Sequence, residues 1–83
     1  MSELRAEIDR IDAEIAVLLK KRFAVSREIG EVKIGLSREV EDLSRDKVVL
    51  ENYRKLAADE LDEDFIEKMV SLILRYSKAV QKR

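Results

Sequence analysis

The sequence has no cysteine, histidine, proline or tryptophan, and only two glycines. Without cysteine there is no disulfide and no thiol nucleophile, and without histidine the commonest general base and the usual zinc ligands are gone as well. Any chemistry must proceed without them. A charge excess is also lacking: 17 basic and 18 acidic residues leave a formal net charge of −1, and the two signs are interspersed. No basic patch points to nucleic acid or to an acidic membrane surface. Apolar runs are short. The longest, such as IAVLL at 15–19, fall far below a membrane span, and the N-terminal MSELRAEIDR is charged where a secretory signal would be apolar. The expected location is cytoplasmic. What remains is a chain of 83 residues, 46% hydrophobic and 42% charged, which predicts one folded, highly amphipathic domain over 1–83 with a core that is marginal on its own.

With no proline, and with both glycines (Gly30 and Gly35) confined to one short stretch, helix is expected almost everywhere else. Ser2 is the expected N-cap of a first helix. From it Leu4, Ile8, Ile11, Ile15, Leu18, Val25, Ile29 and Val32 recur at alternating spacings of four and three, which defines a heptad seam. The seam is broken once, where Arg22 occupies an apolar position. A second helix is expected to start at Asp42 as N-cap and to turn Leu43, Val49, Leu50, Tyr53, Leu56 and Ala57 inward, with Asp46 one turn before Val49 on the same face. A third follows Asp62 as cap, with Leu61 and Ile66 as a hydrophobic staple, and it buries Ile66, Met69, Val70, Ile73 and Val80. Ser77 and Gln81 fall on or beside that face, one turn apart.

Residues 3–34 as a single helix would span roughly 48 Å at about 1.5 Å per residue. A compact chain of this size is only about 30 Å across. The helix therefore outruns its own chain, and its exposed seam packs most economically on a second copy across an isologous interface.

Arg22 on a seam has two readings. It is either a structural ion pair, with Asp46 or with an acid of a partner helix, or one wall of a cavity that takes an anion. Lys33 lies roughly 16 Å further along the axis at about 1.5 Å per residue, close enough for two long side chains to bracket a small molecule. Arg5 lies roughly 25 Å before Arg22 by the same rise, so it reaches such a site only from an antiparallel partner. Singly, Arg5 and Lys33 read as solvated surface, Asp42 as a cap, and Ser77 and Gln81 as surface polar residues. Together, three cations, two acids and a neutral amide spread over three helices have the constitution of a site for a small dianion bearing a hydroxyl.

In this order and at these intervals the motifs resemble the all-helical class of chorismate mutases over nearly the whole chain. The matching pieces are LRAEIDRID at 4–12, Arg22 in KKR, GEVK at 30–33, DLSRD at 42–46 and SKAVQ at 77–81. The resemblance implies an all-α fold: three helices per chain, one very long N-terminal helix, assembled as an intertwined helical homodimer. It implies an isomerase of phenylalanine and tyrosine biosynthesis that converts chorismate to prephenate by a Claisen rearrangement, with no cofactor and no metal. Carried over position by position, Arg22 and the Arg5 donated across the interface would clamp the two carboxylates, and Ser77 would add a contact. Lys33 and Gln81 would donate to the ether oxygen, Lys33 also reaching a carboxylate. The backbone near Asp42 and the side chain of Asp46 would hold the ring hydroxyl, and Arg45 would organise these acids. One position departs: the family usually has Glu where this chain has Asp46, one methylene shorter.

Two rival readings stand beside this one. Isochorismate pyruvate lyase is similar in fold and cations, but its pattern is apolar at position 46. A non-enzymatic helical dimerisation module would use Arg22 only to set register, and it leaves Lys33, Ser77 and Gln81 without a role.

Overall fold

The computed structural model describes residues 1–35 and 42–82. They form three helices: α1 (Ser2–Gly35), α2 (Leu43–Ala57) and α3 (Glu63–Gln81). The break expected at the two glycines does not come there, since Gly30 and Gly35 both lie within α1, and residues 36–41 lie outside the described residues. Among the described residues, α3 packs against both α1 and α2, while α1 and α2 do not meet. A space is thereby left between α1 and α2, floored by α3. Every functional candidate but one faces it.

α1 runs unbroken for 34 residues, with Glu3 in its first turn and Lys33 in its last, each of the sign that the helix dipole favours at that end. It begins one residue earlier than expected. Met1 O accepts from Arg5 N at 3.0 Å, so Met1 stands in the capping position and Ser2 is already helical. The caps of the other two helices are as read from sequence: Asp42 Oδ1 accepts from Arg45 N at 3.0 Å, and Asp62 Oδ2 accepts from Phe65 N at 3.1 Å. α2 ends with Ala58 N bonded to Arg54 O at 2.9 Å, and Leu61 N returns to Ala57 O at 2.8 Å before the Asp62 cap.

The core is small. Val49, Ile66 and Val70 are its buried centre, surrounded by Leu50, Tyr53, Ala57, Met69 and Leu74, and Val80 is buried separately. Two residues expected inward on α2 are not: Leu43 and Leu56 are 65% and 83% exposed. They lie at the flanks of an apolar stripe of which α3, narrow as any single helix, covers only the middle. At the turn between α2 and α3, Arg54 meets Glu51, Glu63 and Glu67 at 2.7, 2.5 and 3.0 Å. Its hydrogen bonds to Glu51 and then to Glu63 push its guanidinium above the ordinary arginine value. This network ties α2 to α3 at the end away from the open space.

Among the described residues the seam of α1 finds little cover in its own chain. Its eight apolar residues, Leu4 to Val32, remain between 43 and 62% exposed. The described residues extend 53 × 23 × 15 Å with a radius of gyration of 15.3 Å, against about 12 Å for a compact chain of this length. No described helix is long and apolar enough to cross a membrane.

Candidate active site

The space between α1 and α2 is a cleft of about 370 Å³, the size that suits a small-molecule ligand. α1 contributes Arg22, Val25, Ser26, Ile29 and Lys33, at i, i+3, i+4, i+7 and i+11, one face of a helix. This is the seam itself, apolar upstream and polar here. Asp42, Arg45, Asp46 and Val49 enter from the start of α2; Leu74, Ser77, Lys78 and Gln81 enter from α3. Seven of the eight residues singled out in the sequence thus line one cleft. The eighth, Arg5, sits exposed near the far end of α1 and outside it.

Arg22 Nη1 donates to Ser77 Oγ, which joins α1 to α3 across the floor. Its neighbour Phe23 packs edge-on against Tyr76 with ring centroids 4.7 Å apart at 83°, and the Arg22 guanidinium lies 5.9 Å from the Phe23 ring centre. Such an aromatic pair is worth about 0.5–1.5 kcal/mol beyond its buried area, and it fixes the α1 to α3 spacing where Arg22 needs it. Ser26 is buried and returns its hydroxyl to Arg22 O at 3.1 Å, so it adds no free donor to the cleft.

The ion pair considered for Arg22 and Asp46 within one chain does not form. Asp46 Oδ2 is taken by Lys78 Nζ at 2.6 Å, because Lys78 stands on α3 directly opposite the first turn of α2. Among the described residues Arg22 has no carboxylate partner. A half-buried guanidinium with a hydroxyl and a ring for company is unbalanced in charge, and an anion would balance it. Among the described residues Gln81 Oε1 is likewise buried without a hydrogen-bond partner. Leaving a buried carbonyl unpaired costs about 1–3 kcal/mol, which a donor entering the cleft would relieve.

Gly30 explains how Gln81 comes to be there. It is buried in mid-helix, and a Cβ placed on it would fall against the backbone of Gln81, 2.6 Å from Cα and 2.9 Å from C. The absence of a side chain lets the last turn of α3 lie directly on α1.

Four cationic side chains (Arg22, Lys33, Arg45, Lys78) and two acids line the cleft. The net positive field suits a dianion, and the acids sit together on the α2 side where a hydroxyl would need acceptors. A family model described as chorismate mutase type II matches residues 4–82. The chain belongs to that family. It is 30% identical over 84 residues to a chorismate mutase of Methanocaldococcus jannaschii, covering all of this chain and 85% of that protein. It is 46% identical over 61 residues to an intracellular chorismate mutase of Mycobacterium tuberculosis, 71% of this chain and 56% of that protein. A bifunctional chorismate mutase/prephenate dehydratase of Escherichia coli is 32% identical over 79 residues, 94% of this chain. The chain spans a little over half the length of the mycobacterial relative and 20% of the bifunctional one.

For a chorismate mutase of this type the cleft holds one residue that the sequence reading passed over. Lys78 follows Leu74 by four and precedes Gln81 by three, so helical spacing alone puts it on the cleft face of α3.

Proposed function

We propose that this cleft is where the chain converts chorismate to prephenate, and that it does so by binding and charge placement alone. The single observation carrying this reading is the convergence of Arg22, Lys33, Asp46, Ser77 and Gln81 from three helices on one small cleft in which Arg22 lacks a carboxylate partner among the described residues. The reaction is intramolecular: an ether C–O bond breaks as a C–C bond forms, and no proton or group is transferred to the protein. Catalysis then rests on holding a flexible dicarboxylate in its compact reactive form and on stabilising negative charge that develops on the ether oxygen. Arg22 binds one carboxylate through its planar fork, with Ser77 beside it. Lys33 and the Gln81 amide face the ether oxygen. Asp46 and the backbone at Asp42 take the ring hydroxyl, and Arg45 steadies the acids. A carboxylate at 46 favours this reading over the lyase.

The second carboxylate needs another cation, and Arg5 is the candidate. We assign it to the partner's site in a homodimer whose interface is the exposed seam of α1. The unpaired apolar length of α1 supports that assembly. Mixing an Arg5→Ala chain with an Arg22→Ala chain tests it, since each heterodimer rebuilds one intact site and leaves the other doubly defective. With free exchange of equal amounts, half the dimers are mixed, so activity should recover to about a quarter of the parent. No recovery in dimers shown to exchange would refute a shared site.

Asp46→Glu restores the residue usual in the family and lengthens the carboxylate toward the cleft. The expected outcome is a kcat/KM equal to the parent or up to about tenfold higher, the worth of one improved hydrogen bond to a charged group. Steady-state kinetics with chorismate decide it, and a large loss would remove Asp46 from the hydroxyl contact.

A further inference from the structure

Lys78 and Asp46 form an ion pair unlike the others among the described residues. Nζ to Oδ2 is 2.6 Å, and the side chains are 24% and 22% exposed, whereas each carboxylate that meets Arg54 is more than half exposed. The pair joins α3 to the first turn of α2 in the wall of the cleft. Asp46, Leu74 and Lys78 also line a second groove on the other side of that wall, so the pair closes the seam between the two spaces. The other ion pairs between α2 and α3 lie at the opposite end of α2, around Arg54, and cannot set the position of residue 46.

The geometry of the carboxylate matters most. Oδ2 is committed to Lys78, and among the described residues Oδ1 accepts no hydrogen bond. A carboxylate with one oxygen tied and the other open is an oriented acceptor rather than a freely turning charge. Its partner also offsets its negative charge, which would otherwise repel a dianion entering the cleft.

We propose that Lys78 is the positioning residue for Asp46: it fixes the carboxylate so that Oδ1 receives the substrate's ring hydroxyl, and it neutralises the acid toward the two substrate carboxylates. This rests on the reading of Asp46 given under the proposed function. Lys78 itself acts through Asp46 and need not touch the substrate. Because the hydroxyl is bound alike in ground and transition states, the effect falls on KM more than on kcat.

The test compares the parent with Lys78→Met, Lys78→Gln, Lys78→Arg and Asp46→Asn, each checked for helical content by circular dichroism. Two quantities are read: kcat and KM for chorismate, and the Ki of an analogue of chorismate lacking the ring hydroxyl. Loss of Lys78 should raise the chorismate KM about tenfold with kcat within about threefold, and Lys78→Arg should restore most of it. The Ki of the hydroxyl-free analogue should weaken by about threefold at most, through the charge that Lys78 no longer offsets, because a ligand without the hydroxyl has nothing to gain from an oriented Asp46. An unchanged chorismate KM in both neutral variants, with Asp46→Asn impaired, would overturn the role of Lys78 and leave that of Asp46 standing. A Ki weakened as much as the KM would also overturn it, since Lys78 would then be binding a carboxylate or holding the fold. If Asp46→Asn itself leaves KM unchanged, the assignment of Asp46 fails and that of Lys78 fails with it. The methionine and glutamine variants differ in size and polarity, so a folding defect in one leaves the other to give the answer.

Discussion

Replacing Arg22 by alanine should lower kcat/KM for chorismate by about a thousandfold while leaving the helical content of the protein intact. A cation that binds a substrate carboxylate in a partly desolvated cleft is worth about 3–5 kcal/mol when truncated, and every 1.4 kcal/mol is about a factor of ten. The fold has less to lose. Arg22 gives α3 one hydrogen bond, to Ser77, while the neighbouring Phe23 and Tyr76 rings hold the two helices together on their own account. Arg22→Lys should recover only part of the loss, since an ammonium keeps the charge but not the planar fork that meets a carboxylate with two bonds. Steady-state kinetics with circular dichroism on the same samples read both effects. An alanine variant within tenfold of the parent would make Arg22 a strut between helices and not a substrate ligand.

Gly30→Ala should damage both stability and catalysis, although on propensity alone alanine favours a helix over glycine by about 1 kcal/mol. The added methyl would meet Gln81 backbone atoms, not the movable end of a side chain. Backbone in the way cannot rotate aside, so the last turn of α3 must lift from α1. Overpacking of this kind costs typically about 1–3 kcal/mol, which outweighs the propensity gain at all but the low end of that range. Thermal unfolding should show a lower midpoint, and kcat/KM should fall by about a hundredfold or more because Gln81 rides on the displaced turn, where a donor placed 1 Å wrongly loses about that much. A midpoint raised by the substitution, with unchanged kinetics, would mean that the close approach at Gly30 is not what places Gln81.

The two substitutions also show what the sequence could and could not tell. α1 was legible as one continuous helix because nothing within it stops a helix, and Asp42 and Asp62 announced the starts of α2 and α3 through their side-chain oxygens. The reason for Gly30 was hidden. A glycine in mid-helix signals that something comes close, but which backbone comes close is a tertiary fact. Leu43 and Leu56 were misjudged for a related reason: periodicity identifies an apolar stripe but not how much of its width a neighbour covers. Arg22 was recognised as out of place, yet its pairing with Ser77 and the capture of Asp46 by Lys78 depend on the crossing of α3 over both other helices. Lys78 alone was within reach of spacing arguments, since Leu74, Ser77, Lys78 and Gln81 share one face.

One assay bears most directly on the cleft as a catalytic site: purified protein is incubated with chorismate, the loss of its ultraviolet absorbance is followed, the product is identified, and Arg22→Ala is run beside it. Prephenate should form with the parent and about a thousandfold more slowly with the variant. A folded parent that leaves chorismate untouched, or a variant that makes prephenate as fast as the parent, would contradict the assignment of catalysis to this cleft.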